Sequence, residues 1–330
     1  MTDAHPEEGE TIAAVKPKPT VSAVVVSYFT GPVLARAIAA LSHQDAIAEI
    51  VLVDNGNFPG DIEKAAADMP VKILTGHGNI GFAAGCNLGA KSASGDFLLI
   101  INPDAILPDG GAARLLSDGA ALAQPWLMGA KLVDPDGTEQ QGSRRAVLTP
   151  WRVFIEATHL YRLAPRHPYF QRFNLHTEDC PDDIIETPTI SGAAMFLPRA
   201  DFESIGGMDE HYFMHVEDVD FCLRFAKAGG KIYFTPHVAI IHYKSSSRAN
   251  AVKIEARKTA GVVRYFHTHF ADVYPRPFLW LVDGALWASF GALFIRRALG
   301  RVVRTVGFRL RSGGRGMKRA RAISRRQSDR

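Results

Sequence analysis

The stretch VSAVVVSYFTGPVLARAIAALSHQ (residues 21–44) decides the fold class. Its first eight residues are dominated by valine, which is typical of a strand that is buried on both faces. After Pro32 the apolar residues recur at helical spacing, and proline is favoured in the first turn of a helix. A buried strand followed by a helix is the repeating unit of proteins with a parallel sheet.

The same alternation continues outward from this stretch. Further strands are predicted at residues 49–54, 71–74 and 96–103, with helical segments between them. This order predicts an α/β fold with a Rossmann-like, doubly wound and mostly parallel sheet. In such a sheet, ligands bind at the carboxyl ends of the strands.

Two carboxylates follow strands at this predicted edge. Asp54 ends the second strand and Asp104 follows the fourth. Either acid alone could be an ordinary loop residue that caps a helix. Together at one edge of a sheet they favour a nucleotide with a divalent cation, because carboxylate and phosphate oxygens are ligands that suit Mg²⁺ and Mn²⁺.

A glycine-rich turn offers a competing interpretation. Gly76, Gly78 and Gly81 form a GxGxxG pattern between a strand and a helix, and Asp104 lies 23 residues beyond Gly81. This is the pattern of a dinucleotide-binding turn, as in dehydrogenases. The pattern normally follows the first strand of its domain, whereas here it follows the third. A dehydrogenase is therefore the weaker hypothesis.

Length and composition exclude several classes of protein. The 330 residues are 47% hydrophobic and 22% charged, close to the average for soluble globular proteins. A disordered chain, a collagen-like repeat and a polytopic membrane protein are excluded. Three cysteines without CxxC spacing exclude a disulfide scaffold and a cysteine zinc site, and they suit a reducing compartment.

Charge is divided unevenly along the chain. Residues 275–330 carry 14 Lys and Arg against two acids, a net charge of +12, and the rest of the chain carries −8. Residues 278–295 form an apolar run with two tryptophans and one charge, Asp283. We expect residues 251–330 to be a helical extension, apolar and then basic, that associates with an anionic membrane surface.

Alternatives for this extension are a packed helix with a solvated tail, a spanning helix and a nucleic-acid-binding tail. At the other end, residues 1–20 contain acids and prolines without an apolar core. They are predicted to be a disordered leader, neither a signal peptide nor a membrane anchor.

The second half of the chain holds a dense group of acids. Glu217, Asp218 and Asp220 open a predicted amphipathic helix. The helix dipole explains one acid in the first turn, but three adjacent acids repel one another. At least one is therefore expected to face a cation, an arginine or a substrate proton. Two further strands are predicted, one on either side of Pro236. His242, at the end of the second, could complete a metal site, although a lone histidine is more often structural.

Six segments resemble family 2 glycosyltransferases of the GT-A fold, most of all the bacterial rhamnosyltransferase-like branch. In chain order they are VVVSYFTGPVLARAIAAL, EIVLVDNGN, GNIGFAAGCNLGA, FLLIINPDA, ISGAAMFLPRADFESIGGMDEHYFMHVEDVDFCLR and IHYKSSS. The resemblance implies a GT-A catalytic domain over residues 21–250. Its nucleotide-sugar half is expected over residues 21–125, and its acceptor and catalytic half over residues 126–250.

The resemblance also implies roles for individual positions. Asp104 and His242 are expected to bind Mg²⁺ or Mn²⁺, in a motif whose first aspartate is replaced here by Asn102. The residues expected to bind the nucleotide sugar are Ser27, Asp54, Asn79, Gly81, Phe82, Asn87, Asn102 and Asp104.

Catalysis is implied for the acid pair that opens the helix. Asp218 is expected to be the catalytic base, with Glu217 as the second choice. The residues expected on the acceptor side are Ser191, Gly192 and Ala193. One base and one displacement imply inversion at the anomeric carbon.

The resemblance thus implies a metal-dependent, inverting transferase. The expected reaction moves L-rhamnose from dTDP-L-rhamnose to a hydroxyl of a glycan or polyprenyl-linked glycan in cell-surface polysaccharide synthesis. A UDP-hexose or galactofuranose donor remains an alternative, as does a nucleotide-sugar-binding protein without turnover. No nucleic acid is expected as a partner, and the expected location is cytoplasmic, peripheral on the inner face of the cell membrane.

Overall fold

The structure is a computed structural model that describes residues 18–67, 69–164, 167–244 and 250–295. Most of the predicted leader and the basic end of the predicted extension lie outside the described residues. The strands are β1 (Val21–Ser27), β2 (Ile47–Asp54), β3 (Val71–Leu74), β4 (Phe97–Ile101), β5 (Ala105–Ile106), β6 (Trp126–Val133), β7 (Arg144–Arg145), β8 (Ile185–Glu186), β9 (Thr189–Ile190), β10 (Ala194–Pro198) and β11 (Lys231–His242).

Helices alternate with these strands. They are α1 (Val33–Ser42), α2 (Asp61–Ala65), α3 (Phe82–Ser92), α4 (Gly111–Ala120), α5 (Pro150–Ala157), α6 (Arg199–Ser204), α7 (Glu217–Lys227), α8 (Ala251–His269) and α9 (Arg276–Ile295). Two short 3₁₀ helices follow α5, at Leu160–Arg162 and Pro168–Phe170.

One large sheet organises the described residues. Its strand order is β3-β2-β1-β4-β10-β6-β11-β5, with β8 also pairing with β11. Strands β3, β2, β1 and β4 are parallel to one another, and β6 is parallel to β11, whereas β10 runs antiparallel between β4 and β6. The predicted mostly parallel α/β sheet is confirmed. A separate two-stranded sheet joins β7 to β9.

Helices cover both faces of the large sheet, as a doubly wound fold requires. On one face, α1, α2 and α4 contribute buried residues such as Ile38 and Leu115 to one core cluster. On the other face, α3, α6 and α7 contribute Cys86 and Phe221 to a second cluster. The carboxyl ends of β1 and β4 are left uncovered between these layers, and the polar residues of the site collect there.

Strand β11 differs from its prediction. The sequence favours two strands around Pro236, whereas the structure has one strand whose register against β6 shifts between Thr235 and Ala239. Proline cannot donate a ladder hydrogen bond, and an irregularity in the register accommodates it without ending the strand. The continuous strand carries His242 to the same edge as the residues that follow β4.

The C-terminal helix α9 is the one helix of the described ranges that is long and apolar enough to cross a membrane, judged by length and composition alone. One of its faces packs against α8, where Leu279 and Val282 are buried in a third cluster. Its single acid, Asp283, accepts a 2.7 Å hydrogen bond from the ring of His267. Its opposite face exposes apolar side chains that include Trp280 and Trp287.

Candidate active site

A cavity of about 360 Å³ opens at the carboxyl ends of β1 and β4, beside the start of α7. It brings together most of the residues that the sequence analysis singles out. Those that line it are Asn79, Gly81, Phe82, Asn102, Asp104, Ser191, Gly192, Ala193, Glu217, Asp218 and His242. Donor-side and acceptor-side candidates therefore share one cavity, although they come from elements far apart in the chain.

Three of the predicted donor-side residues do not line this cavity. The Ser27 hydroxyl is buried and bonds to the side chains of Thr30 and Asn57. Asp54 accepts hydrogen bonds from the Gly56 N–H and the Asn57 amide, at 2.9 and 2.7 Å. Both residues fasten the loop that follows β2, beside the cavity.

Asn87 is the third of these residues. Its amide donates to the Met208 carbonyl and its side-chain oxygen accepts from the Met208 N–H, at 2.9 and 2.8 Å. The amide also donates to the Glu210 carboxylate. Asn87 therefore clamps α3 to the loop that precedes the acid pair.

Asp104 and His242 meet at the mouth of the cavity. The register of β5 against β11 sets Ala105 opposite His242, and this brings the imidazole Nε2 to 3.2 Å from Asp104 Oδ1. The imidazole Nδ1 lies 2.9 Å from Gln140 Oε1, and the Gln140 amide donates to the His242 carbonyl. Because a carbonyl oxygen only accepts, Nδ1 carries the proton and Nε2 faces Asp104.

Asp104 and His242 fit a divalent cation whose remaining ligands come from a substrate. Carboxylate and imidazole both bind Mn²⁺, and Gln140 orients the imidazole as metal-site partners do. No group of three or more His, Cys, Asp and Glu in the described ranges could hold a metal ion. Asp104 and His242 would therefore need phosphate oxygens and waters to complete a coordination shell, which is how Mg²⁺ is commonly bound.

Asp218 lies on the other side of the cavity, at the start of α7. Its Oδ2 accepts from the Arg145 guanidinium at 2.5 Å and from the Gly192 N–H at 3.0 Å, and its Oδ1 accepts from the Val219 N–H at 2.8 Å. Burial alone would raise the pKa of Asp218, but the ion pair with Arg145 and these hydrogen bonds outweigh burial and lower it. Asp218 is therefore ionised at neutral pH.

Its neighbour Glu217 has the opposite character. It is 6% exposed, and its Oε2 is buried without a hydrogen-bond partner. Burial, and then the adjacent charge of Asp218, raise the pKa of Glu217 to about 8. Two neighbouring carboxyls therefore share one negative charge near neutral pH, and it resides on Asp218.

The third acid of the group has a structural role. Asp220 pairs with Arg224 and with the ring of His269, each at 2.7 Å. It points away from the cavity and ties α7 to α8. The expectation that these acids need positively charged or proton-bearing partners is met for Asp218 by Arg145 and for Asp220 by Arg224.

The backbone just before the acid pair is strained. His215 and Val216 have φ angles of 65° and 74°, in the left-handed region that a β-branched residue such as valine rarely adopts. Such conformations persist only where the surrounding structure imposes them, and they cluster at functional sites. Val216 is held by the third core cluster, which includes residues of α8 and α9.

Arg145 is a site residue that the sequence analysis missed. It lies on β7, which pairs with β9, and its guanidinium bonds to both the Ile190 carbonyl and Asp218. A pair of arginines in a two-residue strand has no periodicity or spacing that would mark it. Its contact with Asp218 spans 73 positions of sequence and exists only in the folded chain.

In the structure, the glycine at position 81 is explained by contact with a neighbouring loop and not by the binding of a dinucleotide. With φ at 92°, a Cβ at this position would lie 2.6 Å from the Phe213 carbonyl oxygen. The Phe82 N–H donates to that same oxygen at 2.8 Å. The glycine is required because α3 begins against the backbone of the loop that leads to the acid pair.

Comparisons with known proteins agree with this architecture. The model of glycosyl transferase family 2 matches residues 22–206, more than half of the chain, and that of glycosyl transferase family group 2 matches residues 141–309. The chain is 27% identical over 306 residues to an N-acetylglucosaminyl-diphospho-decaprenol L-rhamnosyltransferase of Mycobacterium tuberculosis (strain ATCC 25618 / H37Rv). That alignment covers 84% of this chain and 94% of the relative.

Two solved structures share the fold, each at 16% identity. A mannosyltransferase from Pyrobaculum calidifontis in complex with GDP-Man and Mn²⁺ has a TM-score of 0.50 and aligns over 86% of this chain and 81% of its own. GalNAc-T7 with UDP, GalNAc and Mn²⁺ has a TM-score of 0.56 over 77% of this chain, which spans about half, 48%, of the GalNAc-T7 chain. The dehydrogenase hypothesis is wrong, because the chain belongs to glycosyl transferase family 2, on its rhamnosyltransferase-like branch.

Proposed function

We propose that this glycosyltransferase is metal-dependent and inverting, and that it transfers L-rhamnose from dTDP-L-rhamnose to a hydroxyl of a polyprenyl-diphosphate-linked glycan. One observation carries the proposal. The Asp104–His242 pair and the Glu217–Asp218 pair line the same cavity, one suited to a cation and a diphosphate and the other to a hydroxyl proton. The mycobacterial L-rhamnosyltransferase relative supports the choice of donor and acceptor.

Asp104 and His242 would hold the metal ion in this mechanism. When bound, Mg²⁺ or Mn²⁺ neutralises the charge of the leaving diphosphate. The Asn102 amide lies 3.2 Å from His242 Nε2, and Asn102 replaces a carboxylate in the family motif. With one carboxylate fewer, metal affinity is expected to be lower than in a site with both aspartates.

Asp218 is the group best suited to accept the proton from the attacking hydroxyl. A general base must be ionised in the resting enzyme, and the contacts of Asp218 favour its charged form, whereas those of Glu217 favour its neutral form. Arg145 and the Gly192 N–H hold one carboxylate oxygen in place. Asp218 acts from the side of the sugar opposite to the leaving group, and the anomeric configuration is inverted.

The turn Ser191–Gly192–Ala193 forms the acceptor side. A Cβ at position 192 would lie 3.0 Å from Asp218 Cβ, so glycine permits the turn to approach the base. The Gly192 N–H holds the base in place through a hydrogen bond. The acceptor hydroxyl would bind beside this turn. The remaining nucleotide-sugar candidates, Asn79, Gly81 and Phe82, line the same cavity.

The proposed location is the inner face of the cell membrane. The exposed apolar face of α9 is followed by residues 296–330, which carry 13 Lys and Arg against one acid. Amphipathic helices with basic flanks bind anionic lipid surfaces. A lipid-linked acceptor would then be presented to an enzyme that rests on the same surface, and nucleic acid has no part in this function.

A direct assay tests the proposal. Purified protein with Mn²⁺, dTDP-L-rhamnose and a short-chain prenyl-diphospho-N-acetylglucosamine should release dTDP and form a rhamnosylated lipid. UDP-glucose and UDP-galactofuranose serve as competing donors, and EDTA should abolish turnover. Asp218→Asn should abolish turnover while nucleotide binding stays nearly intact.

Three results would refute parts of the proposal. Transfer from a UDP-sugar alone would replace the donor, and turnover unaffected by EDTA would remove the metal. Nucleotide-sugar binding without transfer or hydrolysis by the wild-type protein would identify a binding protein instead of an enzyme.

A further inference from the structure

A basic segment lies on the acceptor side of the catalytic cavity. Residues 151–177, here called the basic insert, contain four arginines and one acid, Glu156, in a part of the chain that is otherwise acidic. They also contain six aromatic residues and three histidines. None of the site residues described above belongs to the insert, so its composition is unexplained by the proposed mechanism.

The insert forms a cavity of its own, of about 400 Å³, which includes Arg162 and Arg172 in its lining. Both guanidinium groups lie over the Tyr161 ring, Arg162 at 5.9 Å and Arg172 at 4.9 Å from its centre. Gln171 and Asn174 add amide groups to the lining, and Glu178 adds one carboxylate. Two cations beside amide donors in one pocket are suited to an anion with several oxygens.

Arg172 is only partly neutralised within the insert. It forms one long ion pair, 3.8 Å between its Nε and Glu156 Oε1, and this oxygen already accepts a 2.8 Å hydrogen bond from the Phe173 N–H. The Nε of Arg172 is buried and has no hydrogen-bond partner. A buried donor without a partner is costly, and an anionic ligand in the pocket would relieve that cost.

The pocket adjoins the catalytic cavity. Asn174, which lines the pocket, pairs through its backbone with Arg145, which lines the catalytic cavity and holds Asp218. The Arg145 guanidinium also stacks over the Phe173 ring at 5.5 Å. The proposed base is thus linked to the arginine pocket through Arg145 of β7 and residues 173–174.

On its other side the insert contacts α9. The rings of Phe154 and Phe278 lie 5.9 Å apart, and Val153 packs against the cluster that contains Leu279. The insert also exposes Leu163 and Tyr169 to the surface. The insert therefore contacts the wall of the catalytic cavity through residues 173–174 and contacts α9 through its helix α5.

We infer that Arg162 and Arg172 form a subsite for the diphosphate group of the lipid-linked acceptor. The order of neighbours matches the order of groups in such a molecule, with the sugar at Asp218, the diphosphate at the arginines and the prenyl chain along α9. Guanidinium groups bind phosphate oxygens in bidentate geometry, which favours arginine over lysine here. The inference rests on the proposed acceptor class and adds the residues that recognise it.

Two acceptors and two readouts test the subsite in the full-length protein. The first acceptor is prenyl-diphospho-N-acetylglucosamine with a short chain, and the second carries the same sugar on a neutral alkyl chain. Arg172→Gln and Arg162→Gln are each expected to raise KM for the diphosphate acceptor by about tenfold or more, since a charge-assisted hydrogen bond is lost. KM for the nucleotide sugar, and for the neutral acceptor, should not change.

Binding is measured separately from turnover. With dTDP saturating the catalytic cavity, a fluorescent form of the diphosphate acceptor should bind the wild type and bind Arg172→Gln about tenfold more weakly. Arg114→Gln, which removes a half-exposed arginine on α4, is the matched control and should leave both readouts unchanged. Arg172→Lys should restore only part of the affinity, because a lysine cannot make the bidentate contact.

The outcomes separate this inference from the proposed function. If wild-type protein transfers rhamnose but the arginine variants affect both acceptors equally, the subsite is wrong while the function stands. If the variants weaken binding to anionic vesicles and leave KM for the diphosphate acceptor unchanged, the pocket binds lipid headgroups instead. If the wild type shows no transfer to any acceptor but still binds the diphosphate probe through Arg172, the function fails and the anion site remains.

Discussion

Adjacent carboxyls in the catalytic cavity differ in charge because their contacts differ. Asp218 receives three hydrogen bonds, one of them from Arg145, whereas one oxygen of Glu217 is buried without any. Ionising both would bring two like charges together in a buried site, which is unfavourable. In the proposed mechanism, Arg145 therefore favours Asp218 over Glu217 as the base.

Arg145→Gln should shift the pH dependence of turnover. Arg145 lowers the pKa of Asp218, so its loss raises that pKa, and Asp218 becomes protonated at a higher pH. The acidic limb of the kcat profile is expected to move toward neutral pH by at least one unit, so the loss of kcat is largest at the acidic end of the range. Kinetics from pH 5 to pH 9 measure this shift.

Arg145→Lys keeps the charge and should restore most of the acidic limb, while Arg114→Gln on α4 should reproduce the wild-type profile. A uniform loss of kcat at every pH, with the limb unmoved, would mean that Arg145 only supports the fold.

Glu217→Gln should change the pH dependence of stability. Burial raises the pKa of Glu217 to about 8, above its unfolded value of 4.5. Between these values the unfolded chain releases a proton that the folded chain keeps, so stability falls as pH rises, by about 1.4 kcal/mol per pH unit from this group. Glutamine removes that loss, and the variant is expected to gain stability relative to wild type at pH 8 but little at pH 5.

Urea unfolding at pH 5, 6, 7 and 8 gives the four free energies that this comparison needs. Glu63→Gln, an exposed glutamate in α2, should follow the wild type at all four values. A stability difference between Glu217→Gln and wild type that is the same at pH 5 and pH 8 would show that Glu217 is ionised in the folded protein.

The start of α3 and the loop before α7 pack closely against each other beside the cavity. The start of α3 approaches the loop before α7, where the Phe82 N–H bonds to the Phe213 carbonyl and His215 and Val216 are in left-handed conformations. The donor wall and the base are thereby joined by backbone. A change in this turn is expected to disturb both sides of the cavity at once.

Gly81→Ala tests that junction. Gly81 has a φ of 92° and a ψ of 173°, a conformation in which alanine costs about 1–3 kcal/mol, and a Cβ there would lie 2.6 Å from the Phe213 carbonyl oxygen. Gly137→Ala is the matched control, since Gly137 has a φ of 87° but open space around it. We expect the control to lose stability only through its backbone conformation. Gly81→Ala is expected to lose about 1–3 kcal/mol more stability and to bind dTDP weakly.

Chemical denaturation and nucleotide titration of both variants provide the comparison. Equal losses of stability for Gly81→Ala and Gly137→Ala would contradict the close approach of α3 to the Phe213 backbone.

Local pattern was enough to predict the alternating strands, α7 and the acids at its start, because each depends on neighbours a few residues apart. The valine-rich β1 and the helix after Pro32 are of this kind. The irregular but unbroken β11 was not predicted, since its continuity through Pro236 depends on pairing with β6. Arg145 was not predicted either, because only the pairing of β7 with β9 brings it to Asp218.

At the scale of the whole molecule, α9 has one face buried in the core and one face exposed to solvent. Leu279 and Val282 are buried in the cluster that also contains Val216 and Val219, on either side of the acid pair. Deleting residues 275–330 would remove these side chains from the core and leave His267 without Asp283. Such a deletion would test folding as well as membrane binding, so a narrower set of changes is needed.

Two narrower changes separate the contributions of charge and apolar surface. Deleting residues 296–330 removes 13 Lys and Arg and leaves α9 packed on α8. Each basic residue near an anionic surface contributes about 1 kcal/mol, and salt screens this attraction. The truncated protein is therefore expected to bind vesicles containing phosphatidylglycerol weakly and without dependence on salt.

Trp280→Ser with Trp287→Ser leaves the tail intact and removes two exposed indoles from α9. Binding to the same vesicles should then become more sensitive to salt, because burial of each large aromatic side chain contributes roughly 2 kcal/mol that salt does not screen. Ile73→Ser, on the edge strand β3, removes an exposed apolar side chain elsewhere and should leave binding unchanged. Vesicle co-sedimentation at 50 and 500 mM NaCl measures both terms. If the wild type and the double tryptophan variant lose binding at high salt to the same extent, the exposed face of α9 does not enter the membrane, and the tail alone holds the enzyme there.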